Sequence, residues 1–324
     1  MKEMNKKIPG IHHVTAICGD PQANIDFYTS ILGIRLVKLT VNYDDPQSYH
    51  LYYGDTQGRP GTILTFFAWP GAPSGWRGTG QATAVSFSVP SRSLDYWKER
   101  LTSKRVKIAN ESKRFSDQAI GFYDPDGLQL ELVASPKDDR EGCAQGPVPT
   151  KFSVKGFHGI TLSEEGYERT SSLLTDALGF HFIGQEGNRY RYSASKNETA
   201  STVDILCLPA AKMGEVSVGT IHHVAWRTPN DEEQREWRGE LVKSGSNVTP
   251  IIDRNYFHSI YFREPGGVLF EIATDPPGFT VDESVETLGS SLKLPAWLEP
   301  MRADIESALP AVKLPTRWTG DRDT

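Results

Sequence analysis

Cysteine is scarce: Cys18, Cys143 and Cys207 are the only three in 324 residues. They are isolated, with no Cys-x-x-Cys spacing, which argues against a disulfide framework and against a structural zinc knuckle. Each is expected to be a buried small side chain. No apolar run approaches the length needed to span a bilayer. The basic start, Met1 to Gly10, is not followed by an apolar h-region, so the expectation is a soluble protein of the cytoplasm with no membrane partner. Positive charge is also short. A net charge of -6, a pI near 5.8 and the lack of any basic block interleaved with aromatics argue against a nucleic-acid partner. Neither a Ser-His-Asp hydrolase motif nor a phosphate loop is present. What is there, 38% hydrophobic and 23% charged residues, suits a folded chain with one large core or two moderate ones.

The chain repeats itself. A unit of about 55 residues recurs in four versions along the sequence. Each opens with a short strand: Ile11 to Ile17, Thr83 to Val89, Phe157 to Leu162 and Ile221 to Thr228. A polar or proline-containing cap then starts a helix, at Asp20-Pro21, Pro90-Ser91, Ser163-Glu164 and Thr228-Pro229-Asn230. Three helices close on glycine, at Gly33, Gly179 and Gly245, and the second lacks that stop. Alternating runs such as Tyr49 to Tyr53, Arg189 to Ser193 and Phe257 to Phe262 follow as strands. Two hairpins, Tyr123 to Glu131 and Phe262 to Glu271, are nearly the same sentence. The unit therefore reads strand, helix, three strands. The halves divide as 1–145 (modules 11–68 and 80–134) and 146–324 (modules 156–208 and 219–274), with an extension over 275–324. That extension contains a helix expected from Glu299 to Leu309, read as a strap packed on the surface.

Aligning the opening strands gives one column of His13, Ala84, Gly159 and His223; aligning the last strands gives Thr65, Glu131, a residue near Ile205, and Glu271. Alternate side chains of a strand face opposite sides, so one column marks one face. Units one and two together, or three and four together, fall one ligand short. Units one and four supply His13, His223 and Glu271, a two-histidine, one-carboxylate set that leaves coordination positions open and suits nonhaem Fe(II) or Mn(II). Any one of these residues alone would be read as a core histidine or a surface carboxylate. The His-His-Val string at two equivalent repeat positions, with a carboxylate in the matching last strand, favours the metal. His158 falls one step before the ligand column and is expected to be structural, turned away from the cup. Glu131 has no histidine partner in its half and reads as a relic of the repeat.

Four such units with ligands on first and last strands resemble the vicinal oxygen chelate superfamily, which includes glyoxalase I, bleomycin-binding proteins and extradiol ring-cleaving dioxygenases. The strings Ile11-His12-His13-Val14-Thr15 and Ile221-His222-His223-Val224-Ala225, with Arg254, Tyr261 and Glu271, look like its hydroquinone ring-cleaving branch. The resemblance covers the chain to about Thr274. It implies an α+β fold of four βαβββ modules forming two cupped, incompletely closed mixed β-barrels with helices outside. It further implies that His13, His223 and Glu271 hold Fe(II), with Mn(II) an alternative and Zn or Ni able to occupy the site in a purified sample. His12, Thr15, His222, Arg254 and Tyr261 are implied to surround the ligands.

Thr15 shares strand parity with His13. Tyr261 shares a face with Glu271 if the turn between them centres on Gly266. His12 and His222 have the opposite parity and reach the substrate only through a twist or bulge; otherwise they pack under the sheet. Arg254 sits beside Asp253, where a solvated ion pair is the alternative. The implied reaction opens a hydroquinone- or catechol-type diol with both atoms of O2, as in aromatic hydrocarbon catabolism. Arg254 would favour the substrate phenolate, and Tyr261 and His222 would hydrogen-bond its oxygen and move a proton. Trp69, Trp76 and Trp226 are assigned to core packing rather than to a pocket. Two rivals stay open: a glyoxalase-like metal-dependent isomerase or lyase, which wants more carboxylate than Thr65 provides, and a non-catalytic small-molecule binding protein of the resistance kind, which needs no metal. Partners are a small aromatic diol and O2; homo-oligomerisation is undetermined.

Overall fold

The computed structural model describes residues 6–136, 138–143, 146–194 and 199–315. The first residues of the basic start, the end of the extension, and parts of the linker between the halves lie outside the described residues.

Module one consists of β1 (Ile11–Cys18), α1 (Pro21–Asp26), β2 (Arg35–Asn42), β3 (Asp45–Gly54) and β4 (Ile63–Ala68). Module two consists of β5 (Gln81–Val89), α2 (Leu94–Ser103), β6 (Ile108–Arg114), β7 (Asp117–Tyr123) and β8 (Gln129–Ala134). Module three consists of β9 (Gly156–Glu164), α3 (Glu168–Ser172), β10 (His181–Glu186), β11 (Arg189–Ser193) and β12 (Thr202–Cys207). Module four consists of β13 (Ile221–Thr228), α4 (Asp231–Lys243), β14 (Ile252–Asp253), β15 (Phe257–Arg263) and β16 (Leu269–Pro277). Both α1 and α3 continue into a π-helical turn, over Phe27–Ile31 and Leu173–Ala177.

The strands form two curled eight-stranded mixed sheets, ordered β14-β15-β16-β13-β1-β4-β3-β2 and β10-β11-β12-β9-β5-β8-β7-β6. This is the α+β fold the repeats imply. Module one shares a sheet with module four, and module two with module three, so neither sheet is confined to residues 1–145 or to 146–324. The antiparallel ladders β1–β13 and β5–β9 join the modules, and each opening strand runs parallel to the last strand of its own module. β1 is buried along its whole length, as a central strand covered on both faces must be. The helices pack outside, where α2 buries Trp97 and Leu101, and α4 buries Trp237 and Leu241.

Helix starts depart from the sequence reading where local signals compete. Asp20 caps α1 and Asn230 caps α4 as expected, each side chain accepting backbone N–H bonds. The second helix starts at Leu94, after Ser93 rather than at Pro90-Ser91. Ser163 and Glu164 belong to β9, and the third helix starts only at Glu168. The second helix has no glycine stop because Arg105 itself takes the left-handed conformation, at φ 57°. The residue near Ile205 that completes the last-strand column in module three is Asp204, partner of Thr161.

The strap over 275–315 is more than a surface covering. Its helix is a 3₁₀ turn over Glu299–Met301 followed by α5 (Arg302–Ala308). Lys293 N–H donates to the Leu39 carbonyl, and Arg35 donates to the carbonyls of Val285 and Leu288. Lys38, fully buried on β2, is paired with the carboxylates of Asp282 and Glu283 from the strap. Cys18 and Cys143 are buried as expected, whereas Cys207 is partly exposed.

Candidate metal centre

The centre is built on three neighbouring strands. Across the β1–β13 ladder His13 faces Ala225 and Thr15 faces His223; across β13–β16, Ala225 faces Glu271. Cross-strand partners share a face, so His13, Thr15, His223 and Glu271 project from the same side of the sheet around the small Ala225. His223 Nε2 lies 2.9 Å from Glu271 Oε2, His13 Nε2 lies 3.3 Å from the same oxygen, and the two Nε2 atoms are 3.3 Å apart. The three residues are the metal-capable cluster found among the described residues, all buried.

The donor set fits a cation. Glu271 Oε1 accepts a hydrogen bond from Ser259 Oγ, but Oε2, although approached by both imidazoles, meets neither in hydrogen-bond geometry and is a buried oxygen without a partner. A buried carboxylate oxygen left this way is costly, and two nitrogen donors beside it form the open two-histidine, one-carboxylate arrangement of a metal site. Burial opposes ionisation of Glu271, and His13 and His223 more than reverse this, holding the carboxyl well below its usual range. Burial pushes His223 down, with Glu271 opposing.

Strand parity sends the preceding histidines to the other side, as the sequence indicates, yet both reach back. His12 Nδ1 lies 2.9 Å from His13 Nδ1, and His222 Nδ1 lies 2.8 Å from His223 Nδ1. Burial, then the adjacent His13 and His223, keep them uncharged; His12 falls well below the usual imidazole range and His222 drops to about 3. They then differ. His222 lines a cavity of about 420 Å³ in front of the centre, whereas His12 borders a separate hollow of about 170 Å³ between Gln57–Pro60 and Pro277–Thr280.

The larger cavity collects Thr15, Arg254 and Tyr261 as well. Tyr261 faces Glu271 across the β15–β16 ladder, and its phenol is raised by burial and then by Glu271. Arg254 Nε donates to the Tyr261 hydroxyl at 3.3 Å. Its ion pair is with Asp44 of module one, at 2.9 Å, and not with the neighbouring Asp253. Trp69 lines the cavity, which corrects its assignment to the core; Trp226 is in the core, and Trp76 is 53% exposed. Sequence reasoning missed His50, Tyr52, Phe67 and Phe257, which complete the wall. The signal was present in part: His50 and Tyr52 alternate along β3, and Tyr52 pairs with Thr65, a member of the last-strand column.

The second sheet shows the same columns without the centre. Ala84 and Gly159 stand where the histidines stand, and a Cβ on Gly159 would meet the Thr202 carbonyl oxygen at 2.3 Å. The carboxylates of Glu131 and Asp204 are answered there by arginines: Arg114 pairs with Glu131, and Arg191 binds Asp204 through two bonds of 2.7 and 2.9 Å. Guanidinium groups thus supply the positive charge that these buried carboxylates need. His158 lies in this sheet, 3.4 Å from Asp117, apart from the cluster.

A curled mixed sheet carrying two histidines and a carboxylate on its inner face defines a class of metal-cup proteins. Comparison with known families makes this specific: the model of the Glyoxalase/Bleomycin resistance protein/Dioxygenase superfamily matches residues 10–132 and 156–272, and the chain belongs to that family. It is 46% identical over 94% of its length to a Bacillus subtilis protein provisionally named ring-cleaving dioxygenase MhqO, covering 97% of that protein. It is 33% identical to the chlorohydroquinone/hydroquinone 1,2-dioxygenase of Sphingobium indicum, over 94% of this chain and 97% of the relative. A crystal structure of a Bacillus subtilis protein, assigned provisionally as a dioxygenase, superposes with a TM-score of 0.91 at 45% identity, covering 96% of this chain and 99% of that one. Glyoxalase I of Zea mays shares the fold, with a TM-score of 0.61 at 16% identity over 82% of this chain and 92% of that one.

Proposed function

We propose that this protein is an Fe(II)-dependent ring-cleaving dioxygenase that opens hydroquinone-type aromatic diols, with His13, His223 and Glu271 as the metal ligands. The observation that carries the reading is the convergence of these three side chains on one buried point, in a chain whose relatives bear ring-cleaving names. Mn(II) would suit the same donors. When bound there, the metal supplies a redox-active Lewis acid with open positions for the diol and O2.

The protein's own groups do the rest. Phe67, Trp69, Ile252 and Leu269 form the apolar part of the cavity, which takes an aromatic ring and excludes water. Arg254 places a cation beside the cavity and favours the ionised form of a substrate hydroxyl. The Tyr261 hydroxyl, held by Arg254, hydrogen-bonds a substrate oxygen. His222, whose Nδ1 is engaged with His223, turns its remaining edge to the cavity and moves a proton there. His12 bears on the reaction through His13. The reading also puts the enzyme in the reducing cytoplasm, where thiols outside any disulfide framework, such as Cys18 and Cys207, are at home.

The test is oxygen uptake by anaerobically reconstituted Fe(II) protein with methyl- or chloro-hydroquinone, and labelled O2 to follow both atoms into the ring-opened product. No consumption with any hydroquinone or catechol overturns the proposal.

A further inference from the structure

His50 is a cavity residue that no step above uses. It hangs from β3 with Nε2 2.8 Å from Thr65 Oγ1 and Nδ1 2.9 Å from the Tyr52 hydroxyl. Thr65 Oγ1 in turn donates to Thr15 Oγ1 at 2.9 Å. These contacts leave one consistent direction. A hydroxyl carries a single hydrogen, and that of Thr65 is committed to Thr15, so Thr65 accepts from a protonated His50 Nε2. Nδ1 is then the unprotonated nitrogen, and the Tyr52 phenol donates to it. Burial, then His13 and His223, keep the His50 imidazole uncharged, which leaves a single ring proton to place. At the far end Thr15 already accepts from Thr65, and among the described residues no protein acceptor receives its own hydrogen. Thr15 lines the cavity; Thr65 is fully buried behind it, so no bulk water competes for the link.

We infer that His50 is a positioning residue: through Thr65 it fixes the Thr15 hydroxyl as a hydrogen-bond donor directed into the cavity, toward an oxygen of the aromatic diol. This rests on the ring-cleaving reading for the identity of the ligand. The chain Tyr52, His50, Thr65, Thr15 is supplied by β3, β4 and β1 of module one, so it orients a donor from different strands than Arg254 and Tyr261, which belong to module four. A preset donor strengthens binding to an electron-rich oxygen without reorganising when the ligand arrives.

Two readouts test it. Anaerobic titration of the Fe(II)-loaded protein with 4-nitrocatechol, whose colour reports its ionisation, measures binding without turnover; oxygen uptake with methylhydroquinone measures kcat and KM. Thr65→Val, which keeps the shape and breaks the chain, is expected to weaken probe binding and lower kcat/KM about tenfold, at unchanged iron content. Thr65→Ser restores both, His50→Gln restores most of the loss seen in His50→Leu, and Thr15→Val with Thr65→Val is no worse than Thr15→Val alone. Wild-type binding by Thr65→Val, or losses that simply add in the double variant, overturns the assignment. The two readings fail separately: a wild-type protein that consumes no O2 while the binding differences persist overturns ring cleavage and upholds the chain.

Discussion

His12 and His13 leave β1 on opposite faces, yet their Nδ1 atoms lie 2.9 Å apart. One proton serves both nitrogens. With His13 presenting Nε2 to the cluster, Nδ1 carries the hydrogen and His12 accepts it, so the sheet holds the ring from behind. His222 and His223 repeat this arrangement on β13 at 2.8 Å. Such outer contacts orient a ligand and raise its basicity.

His12→Ala is therefore expected to weaken metal affinity roughly 10- to 100-fold while leaving the cavity wall intact, because His12 borders the other hollow. Competition with a chelator checks this. His222→Ala is expected to lower affinity similarly and also to depress kcat in fully loaded protein. Equal kcat in both loaded variants would separate His222 from the chemistry.

One metal ion per chain is expected, and none in His223→Ala or Glu271→Ala, by elemental analysis of anaerobically purified protein. The second sheet has Ala84 and Gly159 where the first has histidines, its carboxylates are paired with arginines from other strands, and Gly159 leaves no room for a side chain against Thr202. Gly159→Ala is accordingly expected to lower the melting temperature, with a cost on the order of 1–3 kcal/mol from overpacking. A second equivalent of tightly bound metal contradicts this account.

Asp124, in the hairpin between β7 and β8, is raised to about 7, mainly by burial, with Asp126 adding to it and the N–H of Leu128 opposing. The folded state therefore holds a proton that the unfolded chain releases near the ordinary aspartate value of 3.8. Between these values the native state binds more protons, so this group's contribution to stability falls as pH rises and is fully lost above about 7. Asp124→Asn keeps an acceptor for the N–H groups of Asp126 and Leu128. It is expected to melt above the parent at pH 8 and to converge with it toward pH 4. A gap that widens on acidification would refute the sign.

Lys38 joins the strap to the sheet. Its ammonium is buried between Asp282 and Glu283, and Asp282 also accepts from the Tyr256 hydroxyl at 2.9 Å, close to the segment carrying Arg254 and Phe257. Lys38→Met leaves Glu283 buried and unpaired and is expected to destabilise by about 3–5 kcal/mol in urea unfolding, whereas Lys38→Met with Glu283→Leu recovers much of that loss. No recovery in the double variant would show that the charge pair is not the reason.

How much was legible depended on how far a residue's role follows from its own strand. His13, His223 and Glu271 were legible because the repeat places the same residue type at the same parity in different modules. The third helix was placed too early because Ser163-Glu164 has the chemistry of a cap, while pairing of Glu164 with Cys207 across β9–β12 keeps it in the sheet. For Arg254 the sequence offers the adjacent Asp253 as the alternative to a place in the site, whereas the β2–β3 turn brings Asp44 to it. Trp69 carries no local mark that separates a cavity wall from a core.

The amino-acid order by itself determined the modules and the face each strand presents, since these follow from alternation along a strand and from short-range caps and turns. Only the tertiary structure decided that β1 lies against β13, that Thr65 stands behind Thr15 with His50 in front, and that the strap grips Lys38. Those depend on registers between segments far apart in the chain, which local periodicity leaves free and the shared core selects.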